Sequence, residues 1–262
     1  MKNKLIAALA ISLLILPLLA CGSLRTAPSY KWHLILEVDP LASNRAALTQ
    51  ETAEVLRTRL NRIGLKAFKV DIVNSAEPGR VRVDLPETPD AARLKHFIVS
   101  RGLLQLVHVI SDPSPASCQT YETEEAAKAA TKAAGDRTVL PYPNSNDSVR
   151  WVVVGVPAIV QGRDLSSASA VPNVIGDGYE ISFTLRSEGA EKFGAWTAAN
   201  INQYLGVVLN DEVKSIAYIR SQIRDVGKIS GRFSKESAED LAEILNSGPL
   251  PARVTIIEEG QN

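Results

Sequence analysis

Apolar residues alternate with polar ones or recur at helical spacing throughout residues 30–110. Apolar side chains at every second position of 34–38 predict a strand with one buried face. A segment at helical spacing follows at 48–63, and after it come two alternating segments and a second helical one that starts near Asp90. A last apolar strand is predicted at 103–110. The order β-α-β-β-α-β is that of a ferredoxin-like fold, in which two helices cover one face of the sheet.

The pattern changes after a Pro/Ser-rich connection at 111–117. The elements predicted beyond it are an alanine-rich helix at 122–134, a loop at 141–147, strands at 149–156 and 179–185, a helix at 188–204, a hairpin at 205–219, a short strand at 228–231, a helix ending near 246 and a strand at 253–258. The predicted fold class is α+β. It has a base at 30–110, a subdomain inserted into or appended to it at 111–232, and a closing segment at 233–262 that returns to the base.

Local signals refine the ends of these elements. Thr49, Ser187 and Ser234 precede helical patterns and are predicted as N-caps, because their hydroxyls can accept from unpaired backbone N–H groups. Asn210-Asp211 is predicted as the two-residue turn of the hairpin, since both residue types tolerate a positive φ. Glu258-Glu259 is expected to be a frayed terminus.

Residues 1–20 have the pattern of a bacterial lipoprotein signal peptide. Lys2 and Lys4 precede an apolar stretch at 5–16, which is short for a membrane-spanning helix. Leu18-Leu19-Ala20-Cys21 resembles a lipobox, which implies cleavage after Ala20 and acylation of Cys21. We therefore expect a lipid-anchored protein of the bacterial cell envelope, with the mature chain on the periplasmic side and a tether at 21–29. An ordinary secretory signal with a chance cysteine is the alternative.

Composition narrows the function classes. The 29 Lys and Arg residues balance the 29 Asp and Glu residues, which is unlike a basic nucleic-acid-binding protein. Two cysteines exclude a disulfide-rich scaffold, and with Cys21 acylated we expect Cys118 to be a free thiol; an intermolecular disulfide is the alternative. The three histidines lack metal-ligand spacing, and no P-loop, dinucleotide fingerprint or Gly-x-Ser-x-Gly elbow occurs. We expect no enzyme activity, no cofactor and no metal.

Five motifs resemble the first periplasmic domain of SecD, a bacterial protein-export protein. They are Gly162-Arg163-Asp164-Leu165, the segment 187–193 (Ser-Glu-Gly-Ala-Glu-Lys-Phe), 206–211 (Gly-Val-Val-Leu-Asn-Asp), 229–234 (Ile-Ser-Gly-Arg-Phe-Ser) and 245–252 (Leu-Asn-Ser-Gly-Pro-Leu-Pro-Ala). The resemblance covers about residues 32–259, and it implies that the subdomain at 111–232 is the head of that domain, above the ferredoxin-like base.

The resemblance implies a binding module that moves about a hinge and holds unfolded or translocating polypeptide, or contacts a Sec-type or other envelope protein. Polypeptide would bind at a sheet edge or in the crevice between base and head. The expected working surfaces are the segment from Val207 to Ile219 and the residues flanking the hinge, Gly162 and Leu250-Pro251. For Leu250-Pro251 the alternative is a rigid turn that returns the chain to the base.

Departures from the family limit what the resemblance implies. Of the family's glycine-rich motif near the start of the domain, only Leu36-Glu37-Val38 remains. The resemblance also stops before the family's transmembrane helices, which carry the aspartate of the proton path, so we expect no proton-driven motor. The alternative function is a structural or interaction lipoprotein that kept the fold without capturing polypeptide.

Overall fold

The computed structural model describes residues 30–73, 79–111, 118–132, 134–143, 149–174 and 176–262. The expected signal peptide, Cys21 and the tether lie outside these residues. The helices and strands are β1 (Trp32–Val38), α1 (Arg45–Arg62), β2 (Lys69–Ile72), β3 (Arg80–Leu85), α2 (Ala91–Val99), β4 (Leu104–Val109), α3 (Glu124–Ala130), β5 (Arg137–Pro143), β6 (Val149–Gly155), β7 (Val160–Gln161), β8 (Leu165–Pro172), β9 (Tyr179–Leu185), α4 (Ser187–Ala199), β10 (Tyr204–Leu209), β11 (Glu212–Tyr218), β12 (Val226–Phe233), α5 (Lys235–Asn246) and β13 (Val254–Gln261). The fold is α+β, as predicted.

The base is a four-stranded antiparallel sheet in the order β13-β1-β3-β2, with α1 and α2 packed on one face. Its strands alternate as the sequence predicts. Leu34, Leu36 and Val38 are buried under the helices, while Glu37 and Arg82 lie on the other face and remain partly exposed. This arrangement is the ferredoxin-like βαββαβ unit.

The prediction that residues 103–110 complete the base sheet is wrong. They form β4, which lies between β10 and β6 in the head, and the fourth base strand is β13 from the C-terminal end of the chain. The burial pattern explains the difference, because Leu106 and Val107 are both buried although they point to opposite faces of β4. Such a strand needs a sheet that is covered on both faces, whereas the base sheet is covered on one.

The head is therefore inserted between α2 and β13. Its larger sheet has the order β11-β10-β4-β6-β5, with β7 also paired to β4, and its smaller sheet has the order β12-β9-β8. The larger sheet curves until β11 and β5 lie against each other, and it encloses a core of six valines: Val107, Val109, Val152, Val154, Val208 and Val213. Its other face packs on the smaller sheet, α4 and α5.

The closing segment divides between the two lobes. Helix α5 buries Leu241 and Leu245 in the head core, and only β13 returns to the base. Glu258 and Glu259 do not fray, since they lie opposite Ile35 and Leu34 in the paired strands.

Two of the three predicted N-caps are wrong. Helix α1 begins at Arg45, four residues before Thr49, which is buried in the helix and donates its hydroxyl to the Arg45 carbonyl. Ser187 is the first residue of α4 and not its cap. Ser234 does cap α5, because its hydroxyl accepts from the Ser237 N–H at 3.2 Å. The segment predicted as a loop at 141–147 begins with the last residues of β5.

Candidate functional site at the junction of base and head

Two segments carry the chain between the lobes. Residues 99–104 lead from α2 into β4, and residues 247–253 lead from α5 back to β13; we call these the crossing segments. They lie side by side, because the Leu250 N–H donates to the Arg101 carbonyl at 2.8 Å. Each contains a glycine with positive φ, Gly102 (67°) and Gly248 (83°), a conformation that other residues adopt at a cost. A Cβ on Gly102 would also lie 2.4 Å from the Ile244 Cγ2 atom.

Arg59 of α1 binds both crossing segments. Its guanidinium is fully buried and donates hydrogen bonds to the carbonyl oxygens of Phe97, Ile98, Ser100, Arg101 and Gly248 and to the Ser247 hydroxyl. Several of these carbonyls belong to the last turn of α2 and the residues just after α5, where the helix dipoles are negative. Burial lowers the pKa of Arg59 to about 10, so the group keeps its charge near neutral pH. A single cation of the base thus holds both connections to the head.

Two ion pairs join the base helices to α5 of the head; we call them the interlobe ion pairs. The Arg62 Nε atom of α1 lies 2.7 Å from a Glu243 carboxylate oxygen. Arg93 of α2 binds Asp240 through two parallel hydrogen bonds of 2.6 and 2.8 Å, and the hydrogen bond to Asp240 raises the pKa of Arg93. The two-point geometry fixes orientation as well as distance, so α5 is attached to both base helices.

The turn of the β10–β11 hairpin also reaches the junction. Asn210 and Asp211 have φ values of 52° and 66°, as predicted for a two-residue turn. The Asn210 N–H donates to the Leu103 carbonyl at 2.9 Å, and its side-chain oxygen accepts from the Leu103 N–H at 3.0 Å. Asp211 pairs with Arg101 at 2.8 Å. The turn therefore fastens the first crossing segment to the head sheet.

Three of the five predicted site residues come together at this junction. Gly162 follows β7, and its Cβ position would lie 3.8 Å from Pro249 Cδ and 3.9 Å from the Gly102 carbonyl oxygen. Leu250 is buried in the core of the base, and Pro251, beside it, is half-buried. Leu250-Pro251 lies in the segment that returns the chain from α5 to the base, a placement that suits both the predicted hinge and its alternative, a rigid turn, so the hinge stays a prediction.

Val207 and Ile219 do not form a surface. They are 4% and 0% exposed and lie in the core between the two head sheets. Val207 lies on β10, a central strand of the larger sheet that pairs with β11 on one side and β4 on the other. Neither side chain is accessible to a polypeptide in this arrangement, so the expected binding surface is wrong at these two positions.

Sequence reasoning missed Arg59, Arg62, Arg93, Asp240 and Glu243. Arg59 carries one signal that could have found it, because it occupies a core position in the helical pattern with Leu56 and Leu60. A charged residue at such a position requires buried partners. The interlobe ion pairs have no comparable signal, since their members lie 181 and 147 residues apart.

The described residues contain no group of three or more His, Cys, Asp and Glu side chains arranged to hold a metal ion. Among the helices given above, none is long and apolar enough to cross a membrane. Cys118 is half-buried, and burial raises the pKa of its thiol, which disfavours the reactive thiolate near neutral pH.

The described parts of the chain thus form a two-lobed α+β domain in which a head is inserted into a ferredoxin-like base. Residues 137–252 match the family model described as SecDF, P1 head subdomain. The protein translocase subunit SecD of Aquifex aeolicus (strain VF5) is 34% identical over 212 residues, which cover 81% of this chain and 39% of the relative. SecD of Koribacter versatilis (strain Ellin345) is 30% identical over 239 residues, covering 90% of this chain and 43% of the relative.

Solved structures agree with the sequence matches. SecDF in a super-membrane-facing form superposes with a TM-score of 0.66 at 26% identity and covers 88% of this chain and 30% of that chain. A second SecDF structure, of a membrane component that enhances protein export, has a TM-score of 0.65 at 26% identity and covers 86% of this chain and 98% of that chain. In both lobes the described part of the chain is therefore similar to SecDF, and it fits a SecD periplasmic domain. It spans about two fifths of the length of the two SecD relatives above.

Proposed function

We propose that this protein is a non-enzymatic, lipid-anchored module of protein export that binds unfolded or translocating polypeptide on the periplasmic side of the membrane. The observation that carries the proposal is the match of both lobes, since 86% of this chain covers 98% of a solved SecDF chain. The relatives are protein translocase subunits, and that solved protein is described as enhancing protein export. A module of this kind needs no cofactor or metal, because backbone hydrogen bonds and apolar contacts hold an extended chain.

The junction supports such a role. The base and head meet through the two crossing segments, Arg59 and the interlobe ion pairs. Each crossing segment is a short loop with a glycine of positive φ, Gly102 or Gly248, and loop residues of this kind can absorb the backbone change of a hinge motion. A module that captures and releases polypeptide requires a motion of this kind.

Binding is tested with one secretory protein in two states: unfolded through a destabilising substitution, and natively folded. We expect affinity for the unfolded state and little for the folded one. Equal and negligible binding to both states would contradict the proposal.

Photocrosslinking in cells identifies the partner. Probes are placed at Ile63 of the base and Val226 of the head, which are 38% and 49% exposed, and the native N-terminus is retained. A heterogeneous ladder of secretory chains is expected. One discrete partner would instead favour a structural or interaction lipoprotein without polypeptide capture, and no product at either position would contradict both functions.

The anchor has its own test. We expect Cys21→Ser to abolish labelling by a palmitate analogue and to release the protein from the membrane fraction. Acyl chains contribute about 0.8 kcal/mol for each buried methylene group, so their loss removes the attachment. Cys118→Ser is the matched control, because it removes the other cysteine of the sequence, and we expect it to leave both readouts unchanged.

A further inference from the structure

A cleft of about 380 Å³ lies between the base helices and α5 of the head. Its apolar lining consists of Ile63, Leu65, Pro89, Leu94 and Phe97, all from the base. Its charged lining consists of Asp90, Arg93, Glu239, Asp240 and Glu243. Because the charged side chains come from both α2 and α5, an occupant would contact both lobes at once. We call this cavity the interlobe cleft.

The residues of the apolar lining differ in how far they are buried within the fold. Leu94 and Phe97 are 7% and 2% exposed. Ile63, the C-cap of α1, is 38% exposed, and Leu65 is half-buried. Gly64, with a φ of 75°, turns the chain so that the Leu65 N–H donates to the Leu60 carbonyl, which is the hydrogen bond of a Schellman motif. This motif accounts for the position of Leu65, and it leaves Ile63 as apolar surface at the mouth of the cleft.

The charge of the cleft is negative. Four of its five charged side chains are acidic. Asp240 is paired with Arg93, and Glu243 with Arg62. Among the described residues, Glu239 has only a 3.8 Å contact with Lys235 on its own helix, and both side chains are more than half exposed, which makes that pair weak. Asp90 accepts from the Arg93 N–H at 2.9 Å as the cap of α2. Asp90 and Asp240 share Arg93, which interacts with both carboxylates, and Glu239 has no arginine partner in the described contacts. The four acidic side chains therefore outnumber the two arginines, Arg62 and Arg93, that pair with them.

We propose that the interlobe cleft binds an apolar side chain of an extended polypeptide and, through Glu239 and Asp90, a lysine or arginine next to it. Apolar lining beside unneutralised carboxylates is complementary to that combination. This inference rests on the proposed function and deepens it, because it names the place of binding and the class of segment bound. An occupant that touches α2 and α5 stabilises the arrangement in which these helices are adjacent.

The full-length protein is titrated with three fluorescent glycine–serine peptides. The first carries Leu-Arg-Phe-Lys at its centre, the second carries Leu-Glu-Phe-Glu and the third carries Gly-Arg-Gly-Lys. We expect the first to bind about tenfold more tightly than either of the others, because each of them lacks one of the two contributions. Equal affinity for all three would overturn the assignment of the segment class.

Variants locate the site. We expect Ile63→Asp and Glu239→Lys each to weaken binding of the first peptide about tenfold. Ile201→Asp is the matched control for the first, because Ile201 is 37% exposed, just after the end of α4. Glu51→Lys is the control for the second, since Glu51 is an exposed carboxylate of α1 outside the cleft. Circular dichroism verifies that all four variants fold.

A photo-leucine version of the first peptide provides a measurement without variants. We expect its crosslinks to map to residues 63–65, 88–97 and 239–243. If the unfolded secretory protein binds while the cleft variants behave as their controls and the crosslinks map elsewhere, the cleft assignment is overturned and the proposed function stands. If neither the unfolded protein nor any peptide binds, both are overturned.

Discussion

The Arg59 guanidinium donates a hydrogen bond of 3.2 Å to the carbonyl oxygen of Gly248, which lies 189 residues further along the chain. The same guanidinium donates to the Arg101 carbonyl at 3.1 Å, so both crossing segments are held by one side chain of the base. Because buried carbonyl groups must be paired, the contact makes the two connections between the lobes depend on each other. A substitution at Arg59 should therefore destabilise the base and both of its connections to the head.

We expect Arg59→Leu to lower the free energy of unfolding by about 3 kcal/mol, because several buried carbonyl groups lose their donor. Arg59→Lys keeps the charge but loses the planar set of five donors, and we expect an intermediate loss. Urea denaturation measures both. Hydrogen exchange should also accelerate at the Leu250 and Leu103 amides, which lie on the two crossing segments.

Arg57→Leu is the control for this prediction. Arg57 lies on the same helix and donates one hydrogen bond, to the Val70 carbonyl at 2.7 Å. We expect a loss of about 1 kcal/mol, without faster exchange at the crossing segments. If Arg57→Leu were as destabilising as Arg59→Leu, the special role of Arg59 would be wrong.

The interlobe ion pair between Arg93 and Asp240 is tested by charge exchange. We expect Arg93→Asp and Asp240→Arg each to increase hydrogen exchange in α5 and the first turn of α2, and the double variant to restore much of the protection. The coupling energy of such partly exposed pairs is about 1 kcal/mol or less, and it should fall as salt is added. A double-mutant cycle in urea measures it.

The pair Glu188–Lys192 is the control for this cycle, because it lies within α4 and connects no separate elements. Exchanging the charges of this pair should leave hydrogen exchange in α5 and α2 unchanged. Single variants of Arg93 and Asp240 that leave exchange in both helices unchanged would show that the pair does not hold the lobes together.

The sequence predicted the elements of the base better than their connections. The alternation at Leu34 and Leu36 specifies a strand because these side chains face the core. Asn210-Asp211 specifies a turn because both residue types tolerate the positive φ that the turn requires. Strand β4 was placed in the wrong sheet, since an apolar segment specifies burial but not the partner strand. The strand that does complete the base, β13, lies more than 150 residues beyond α2, and local patterns carry no information on such a pairing.

The candidate site was predicted in part for the same reason. Gly162, Leu250 and Pro251 lie at the junction. The sequence could place them there because they belong to motifs that resemble a family with two lobes. Val207 belongs to a motif with the same resemblance, yet it is a core residue of the head, as is Ile219 at the end of the predicted hairpin. A family motif marks residues that the fold requires as well as residues that bind, and burial, which only the structure gives, separates the two.

Acid should weaken the base through Asp84. Burial raises the pKa of Asp84, but hydrogen bonds from Arg82 and Asn262 outweigh it, and the net pKa lies below the usual 3.8. A carboxyl group with a lowered pKa in the folded state stabilises that state above its unfolded pKa and loses the contribution as the pH falls through the folded pKa. We therefore expect the stability difference between wild type and Asp84→Asn to be full above about pH 4 and to shrink below it.

Urea midpoints between pH 7 and pH 2.5 measure this difference. Asp71→Asn is the control, because Asp71 lies on the neighbouring strand with a more exposed side chain paired to Lys69. A difference between wild type and Asp84→Asn that stays constant over the whole range would contradict the assignment.

The side chain of Asn246 covers the edge of the smaller head sheet. Its oxygen accepts from the Ala168 N–H at 2.7 Å, and its nitrogen donates to the Ala168 carbonyl at 2.8 Å. Because Ala168 lies on β8, an edge strand of that sheet, the amide of Asn246 replaces one residue of a further strand. Edge strands whose backbone groups are unpaired recruit other chains and promote aggregation.

We expect Asn246→Ala to lower the free energy of unfolding by about 2 kcal/mol, since it leaves two backbone groups of β8 without their partner. The Ala168 amide should exchange faster, and the variant should aggregate earlier on heating. Asn246→Asp separates the two contacts, because a carboxylate accepts from the Ala168 N–H but cannot donate to its carbonyl. It should protect the amide and still lose stability. If both variants exchanged at Ala168 as the wild type does, α5 would cover this edge without the help of Asn246.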